Sequence, residues 1–231
     1  FPCTTGSKSI DYLIADKVVI PKKFQKFYSE KIVYLPDVYQ PNEELRKLNH
    51  QFKNKESLGL PNDKFIFCCF NGHQKINSKI FELWMRILKK RKNSILWLLG
   101  DNEFSESNLR KEASNFGIDP DRLIFAKKLE IDQHLSRLKF ADLFLDTYPY
   151  GAHTTCSNAL RMCLPVITIA GDSFASRVSA SLLNSINLNE LITNNLENYE
   201  RLALDISNDN KLLYKIKNKI KLQITKSNLF K

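Results

Sequence analysis

Past residue 60, short apolar runs alternate with segments whose apolar residues recur at helical spacing. The apolar runs predict strands at residues 65–70, 94–99, 123–126, 143–145 and 166–169. The helical spacing predicts helices near residues 80–88, 107–116, 132–140 and 154–162. Because the strand runs show little apolar/polar alternation, both faces of the sheet should be covered. The pattern predicts an α/β fold with a doubly wound, Rossmann-like parallel sheet.

The two ends of the chain have a different pattern. Residues 10–16 and 31–36 resemble short strands, so we interpret residues 1–50 as the end of a preceding lobe and a linker. Leucines and isoleucines at helical spacing from Leu188 onward predict closing helices. The main domain is therefore placed at residues 51–231. Since residue 1 is not Met and nothing nearby resembles a processing site, we expect a longer polypeptide.

The most informative segment is 144–160, which runs from a buried strand through a Pro/Gly turn into a helix. Thr154 or Thr155 would cap that helix with its hydroxyl. A helix N-terminus has unpaired N–H groups and partial positive charge, so it binds anions. Capping explains one threonine but not His153 directly before two of them. The segment therefore favours an anion site over an ordinary capped helix.

Other candidate residues follow the same edge of the predicted sheet, where ligands bind in doubly wound folds. Lys75 lies just past the first strand and opposite the predicted anion site, which favours a role in that site over a solvated loop lysine. His134 and Arg137 lie one helical turn apart after the third strand. Taken alone, their spacing indicates surface residues.

Composition excludes several function classes. The formal charge of +10 and pI near 9.3 suit nucleic-acid binding, but the lysines are scattered or lie on helix faces, where long-range steering of an acidic ligand is the simpler interpretation. No apolar run approaches membrane-spanning length. We expect a cytoplasmic protein with neither nucleic acid nor membrane as a partner.

The acidic residues and cysteines suggest no further chemistry. Five cysteines without a CxxC pair or a zinc-type spacing predict no metal site, and Cys68 and Cys69, in an apolar strand run, are expected to be reduced core thiols. Asp142 and Asp146 flank one strand and should lie roughly 13 Å apart, too far for an acid–base pair.

Seven stretches in order resemble the O-GlcNAc transferases and their bacterial relatives. They are residues 28–31, 35–37, 70–71, 97–99, 145–147, 153–155 and 175–178, and residues 1–6 resemble the family's Pro-x-Thr-x-Gly loop. The resemblance spans nearly the whole chain. It implies the nucleotide-sugar lobe of a two-lobed GT-B glycosyltransferase, with the first lobe and any tetratricopeptide (TPR) repeats missing from this sequence.

The resemblance also implies an activity. The family transfers N-acetylglucosamine from UDP-GlcNAc to Ser or Thr hydroxyls of proteins with inversion, without a metal or other cofactor. Lys75 matches the catalytic lysine aimed at the diphosphate, and His153, Thr154 and Thr155 match the donor-binding residues at the helix start. Because a charge-assisted hydrogen bond contributes about 1.5–3 kcal/mol, Lys75→Ala should cost at least about tenfold in turnover.

The remaining matches concern the nucleoside and include departures. His134 matches the histidine that stacks on the uracil, which makes Arg137 a base-pocket residue as well. Asn158 stands where the family commonly has an Asp for the ribose, Gly72 where it has a Gln near the phosphates, and Ile131 where a uracil-reading lysine is expected. Relatives of the SPINDLY type use GDP-fucose and others transfer glucose, so the donor stays open.

Three hypotheses follow. In the first, the chain is the donor-binding part of a protein O-glycosyltransferase and by itself binds UDP-sugar with little or no turnover. In the second, it is a catalytically degenerate nucleotide-sugar-binding module. In the third, its basic charge binds nucleic acid. The acceptor proteins and the oligomeric state do not follow from the sequence.

Overall fold

The structure is a computed structural model that describes residues 3–100 and 102–231. Phe1 and Pro2, the start of the predicted Pro-x-Thr-x-Gly loop, lie outside the described residues. Near the N-terminus, strand β1 (Tyr12–Ala15) pairs in parallel with β2 (Lys31–Tyr34) as a separate two-stranded sheet. Both strands fall within the two N-terminal segments that the sequence predicts to be extended.

A six-stranded parallel sheet forms the centre of the molecule. Its strands are β3 (Phe65–Cys69), β4 (Ser94–Leu99), β5 (Leu123–Ala126), β6 (Leu143–Leu145), β7 (Val166–Ile169) and β8 (Ile192–Thr193). The order across the sheet is β5-β4-β3-β6-β7-β8, with every neighbouring pair parallel. This is the doubly wound order of the Rossmann fold, so the predicted fold class is confirmed.

Seven α-helices connect and flank the strands of the described chain. They are α1 (Ser78–Lys90), α2 (Glu103–Asn115), α3 (Ile131–Leu138), α4 (Thr154–Arg161), α5 (Val178–Ser185), α6 (Leu196–Asn208) and α7 (Asn210–Lys226). All five residues of β3 are buried, which requires helices on both faces of the sheet. No helix of residues 3–100 and 102–231 is long and apolar enough to cross a bilayer.

Local chemistry explains where several helices begin and end. Asn77 caps α1 by accepting from the Ile80 N–H at 3.0 Å, and Asn195 caps α6 in the same way. Gly117 follows α2 with φ of 73°, the left-handed conformation that glycine adopts without steric cost.

The structure corrects one prediction about the C-terminal region. The closing helices α6 and α7 are present, but the two-residue strand β8 precedes them and adds an edge to the sheet. Two residues are too few to show a strand pattern, so the apolar Ile192 was grouped with the helical positions. The expected core thiols Cys68 and Cys69 are buried and free.

A buried carboxylate fastens the N-terminal segment to the main domain. Asp16 accepts hydrogen bonds from the Tyr39 N–H at 3.0 Å and from the Ser181 hydroxyl at 2.6 Å. From the opposite side, Arg177 Nε donates to the Val18 carbonyl at 2.6 Å. The first segment therefore packs directly on α5.

The linker crosses helices α3 and α4 as an extended strap. Arg46 forms an ion pair with Asp132 at 2.7 Å, and the Phe52 N–H donates to the Ser136 hydroxyl at 2.8 Å. On α4, Arg161 Nη1 donates to the Glu44 carbonyl at 3.0 Å. The strap closes one side of a groove over these two helices. The predicted domain boundary at residue 50 stays a prediction.

Candidate functional site

The candidate site lies where the strand order reverses. Strands β3 and β6 are neighbours, yet the chain continues from β3 to β4 on one side and from β6 to β7 on the other. Loops leaving the carboxyl ends of two such strands diverge and open a crevice between them. The crevice is bounded by residues 71–77 after β3 and residues 146–153 after β6.

Lys75 enters this crevice from a single 3₁₀ turn, His73–Lys75. Its Nζ donates to the Gly151 carbonyl at 2.9 Å and lies 4.0 Å from the centre of the Tyr150 ring. Burial lowers the pKa of Lys75, while the nearby Asp146 carboxylate opposes that shift. The structure therefore brings Lys75 to the loop that leads into α4, as the sequence predicts.

The N-cap of α4 lies one residue before the first of the two predicted positions. His153 is the N-cap and makes no side-chain capping bond, so the predicted hydroxyl cap from Thr154 or Thr155 is wrong. Thr154 is instead the first helical residue and is exposed, with its N–H among the unpaired groups of the first turn. The Thr155 hydroxyl donates to the Asn71 side-chain carbonyl. The N–H groups at the start of α4 are thus left without a side-chain cap, and the anion site stays a prediction.

His153 lies at the N-terminus of α4, and one of its ring nitrogens is available to a ligand. Its Nε2 is buried and has no hydrogen-bond partner among residues 3–100 and 102–231. Burial, with the nearby Lys75 charge, lowers its pKa to about 4. The imidazole is therefore neutral at pH 7 and retains a polar atom for a ligand.

Asp146 organises the loop between β6 and α4. It is 1% exposed, and its Oδ1 accepts from the Thr147 N–H at 2.8 Å and the Ala152 N–H at 2.7 Å, while Oδ2 accepts from the Thr168 hydroxyl at 2.8 Å. Burial raises the pKa of this carboxyl, and the hydrogen bonds counteract that effect. The sequence analysis assigned Asp146 no role; the signal was an acid at the end of a buried strand, directly before a turn.

Asn71 is the second residue that the sequence analysis missed. It is 2% exposed, and its Nδ2 donates to the Thr147 hydroxyl at 2.7 Å and to Asp146 Oδ1 at 3.2 Å. Its carbonyl accepts from Thr155. One amide therefore joins the end of β3, the end of β6 and the start of α4.

His134 and Arg137 form a pair on α3. Arg137 is 1% exposed, donates to His134 Nδ1 at 2.8 Å and to the Lys127 carbonyl at 2.5 Å, and packs on the Phe70 ring at 4.5 Å. Burial, with the Arg137 charge, lowers the pKa of His134 to about 4. Because Nδ1 accepts from Arg137, the ring proton lies on Nε2. Arg137 thus orients His134 from within the core.

Asn158 lines a groove of about 380 Å³ between α3, α4 and the linker. Thr154 lies at the same groove, and Ile131, which is 50% exposed, gives it an apolar wall. The Ser157 hydroxyl bonds to Asn42 of the linker. The groove therefore extends the helix mouth towards α3 and can take a flat organic group.

These elements place a cation, open backbone N–H groups and the neutral imidazole of His153 around one crevice, while the neutral His134 lies on α3 against the Phe70 ring. Such a set stabilises a polyanion that carries an apolar or aromatic end. The described residues contain no group of three or more His, Cys, Asp or Glu side chains that could hold a metal ion. The roles predicted for Lys75, His134, Arg137, His153, Thr154, Thr155 and Asn158 remain predictions.

Comparison with known proteins gives the relatives of this chain. The model of glycosyl transferase family 41 matches residues 43–231. The chain is 39% identical over 213 residues to the probable UDP-N-acetylglucosamine--peptide N-acetylglucosaminyltransferase SEC of Arabidopsis thaliana, covering 90% of this chain and 22% of the relative. It is 29% identical to the Arabidopsis thaliana protein named SPINDLY, covering 94% of this chain and 24% of that protein. The chain thus spans about a quarter or less of these relatives.

Solved structures give the same result. A mutant of the O-GlcNAc transferase of Thermobaculum terrenum superposes with a TM-score of 0.89 at 27% identity, covering 98% of this chain and 43% of that one. The lipopolysaccharide glycosyltransferase WaaG shares the fold, with a TM-score of 0.67 at 16% identity over 99% of this chain and 62% of its own. These neighbours confirm the GT-B type. The chain therefore belongs to glycosyl transferase family 41.

Proposed function

We propose that this chain provides the donor site of a protein O-glycosyltransferase, which moves N-acetylglucosamine from UDP-GlcNAc to Ser or Thr hydroxyls of proteins. The observation that carries the proposal is the position of Lys75 Nζ, 2.9 Å from the carbonyl of Gly151, two residues before the N-cap of α4. The names of the relatives support the sugar and the peptide acceptor.

In the proposed reaction, the acceptor oxygen bonds to the anomeric carbon from one face of the sugar as the bond to UDP breaks on the other, and the proton of the acceptor hydroxyl is released to solvent. This displacement inverts the configuration. The leaving diphosphate gains negative charge, which the Lys75 ammonium and the N–H groups of Thr154 and Thr155 would stabilise. These fixed donors would supply the positive charge without a metal ion.

The groove beside α3 would receive the nucleoside. His134, held by Arg137, would face the base, and Asn158 would accept a hydrogen bond from the ribose. His153 would contact the sugar or the phosphates through its unpartnered Nε2. A neutral imidazole at each place avoids adding charge next to the uncharged sugar and base.

Calorimetric titration of the purified protein with UDP, UDP-GlcNAc, UDP-glucose and GDP-fucose tests this proposal. We expect UDP-GlcNAc to bind more tightly than GDP-fucose. Lys75→Ala should weaken UDP binding by about tenfold or more, because it removes a charge-assisted contact. Lys79→Ala, which removes an exposed lysine in the first turn of α1, is the matched control. Preference for GDP-fucose, or no UDP binding by the unmodified protein, would overturn the proposal.

A further inference from the structure

The Lys75 ammonium has no ion-pair partner in the part of the chain that the structure describes. Burial lowers the pKa of Lys75, because a cation without a counter-charge is less stable away from water. Asp146 opposes this shift, but its carboxylate is buried and accepts its hydrogen bonds from the loop and from Thr168. The uncharged neighbours of Lys75 therefore decide how well the cation is held.

One of these neighbours is the ring of Tyr150, which lies under the ammonium with its centre 4.0 Å from Nζ. The face of an aromatic ring attracts a cation out to roughly 6 Å, so this contact is a close one. The ring residue is itself held in place. Thr147 Oγ1 donates to the Tyr150 carbonyl at 2.7 Å, and the ring centre lies 5.4 Å from that of His153. The ring therefore supports the ammonium from a fixed side.

The second contact of the ammonium is with the Gly151 carbonyl, to which Nζ donates at 2.9 Å. An ammonium group has three N–H donors. One donates to Gly151, and the Tyr150 ring covers a second side. Lys75 has no further hydrogen-bond partner among residues 3–100 and 102–231. One donor therefore stays available to a ligand, and the two contacts restrict the direction in which it can donate.

An aromatic ring is better suited to this position than a carboxylate. A carboxylate beside Lys75 would cancel its charge and repel a diphosphate, whereas a ring stabilises the cation and has no net charge. Tyr150 is also 42% exposed, so a substitution there removes little from the core. The pair thus leaves the positive charge of Lys75 for an incoming anion.

We propose that Tyr150 is a positioning residue for Lys75, whose ring holds the protonated ammonium in the orientation that binds the diphosphate of the donor. The inference rests on the proposed function and deepens it. Tyr150 acts through Lys75 and not through a contact of its own with the leaving group. Loss of the ring should therefore have two effects, weaker UDP binding and easier deprotonation of Lys75.

Two substitutions separate the ring from its hydroxyl group. Tyr150→Leu removes the π system and should weaken UDP binding by about fivefold in calorimetry at neutral pH. Tyr150→Phe keeps the ring, so its affinity should stay within about twofold of that of the unmodified protein. Tyr214→Leu, at an exposed position of α7, is the matched control and should bind UDP as the unmodified protein does. Equal losses in Tyr150→Leu and Tyr150→Phe would assign the effect to the hydroxyl and overturn the inference.

The protonation of Lys75 gives a readout that packing alone would not move. NMR of protein with ¹³C-labelled lysine can follow the titration of Lys75 Cε, with Lys75→Arg to assign the signal. The pKa of Lys75 should be lower in Tyr150→Leu than in the unmodified protein, because the ring no longer favours the cation. Tyr150→Phe should restore it. The other titratable groups that interact with Lys75 are the same in all of these variants; they are Asp146, Cys69 and His153.

The two measurements distinguish this inference from the proposed function. Unchanged UDP binding in Tyr150→Leu, or an unchanged pKa of Lys75 in that variant, would overturn the inference. If Lys75→Ala still loses binding, the proposed function stands. No UDP binding by the unmodified protein would overturn both.

Discussion

The carboxylate of Asp146 shows how one buried side chain shapes a loop. Its two oxygens accept hydrogen bonds from the N–H groups of Thr147 and Ala152 and from the hydroxyl of Thr168. A buried donor without a partner costs about 1–3 kcal/mol. Asp146→Ala leaves several donors unpaired and should lower the free energy of unfolding by about 3 kcal/mol or more.

Asp146→Asn is the informative comparison for that loss. The amide keeps one carbonyl oxygen for the two N–H groups, and the Thr168 hydroxyl can turn to accept from the new NH₂ group. In urea unfolding, Asp146→Asn should therefore lower the free energy of unfolding clearly less than Asp146→Ala does. Equal losses would show that packing, and not hydrogen bonding, determines the contribution of this residue.

The two site histidines make stability depend on pH. Both have a pKa of about 4 in the folded protein, below the ordinary 6.5. Between these values the unfolded chain binds protons that the folded protein does not, so the free energy of unfolding should fall as the pH is lowered from 6.5 towards 4. Urea unfolding at pH 7.0 and 5.5 should show a smaller difference in His134→Gln than in the unmodified protein. An equal difference would contradict the lowered pKa of His134.

At the scale of elements, the two adjacent threonines at the start of α4 have different environments, which the sequence alone does not distinguish. Thr154 is exposed, whereas the Thr155 hydroxyl bonds to the buried Asn71. Thr155→Val leaves the Asn71 carbonyl with one partner fewer and should lower the free energy of unfolding by about 1–3 kcal/mol. Thr154→Ala should leave urea unfolding nearly unchanged. A larger loss in Thr154→Ala than in Thr155→Val would contradict the observed hydrogen bond.

The same helix shows what a sequence can predict and what it cannot. Strands β4 to β7 were predicted at their observed bounds because long apolar runs between breakers mark buried strands. The predicted cap was wrong because His153 is the N-cap and the Thr155 hydroxyl instead bonds to Asn71, which is 84 residues away. Asp146 was judged by its distance from Asp142 along one strand, whereas its partners come from the next strand and from the loop. Hydrogen bonds between residues that are far apart in the chain leave no pattern in the local sequence.

At the scale of the whole molecule, most of the positive charge lies on the surface and not in the candidate site. Helix α7 contains six lysines and no acidic residue. Lys211→Glu with Lys215→Glu, each replacing a positive by a negative charge, lowers the formal charge from +10 to +6. Long-range steering predicts a UDP association rate a few-fold lower at low salt and an unchanged dissociation rate. Stopped-flow measurement should show the difference vanish at high salt; a changed dissociation rate would place α7 in the binding site.

The amide of Asn71 links the end of β3 to the end of β6 and the start of α4, which are distant in sequence. Together with the hydrogen bond from Lys75 to the Gly151 carbonyl, these contacts hold the cation and the start of α4 in place before any ligand arrives. Association then carries little penalty for freezing the backbone at these positions. Hydrogen exchange at Thr147, Gly151 and Ala152, whose N–H groups are hydrogen-bonded, should be slow in the free protein, and saturation with nucleotide should slow it little further.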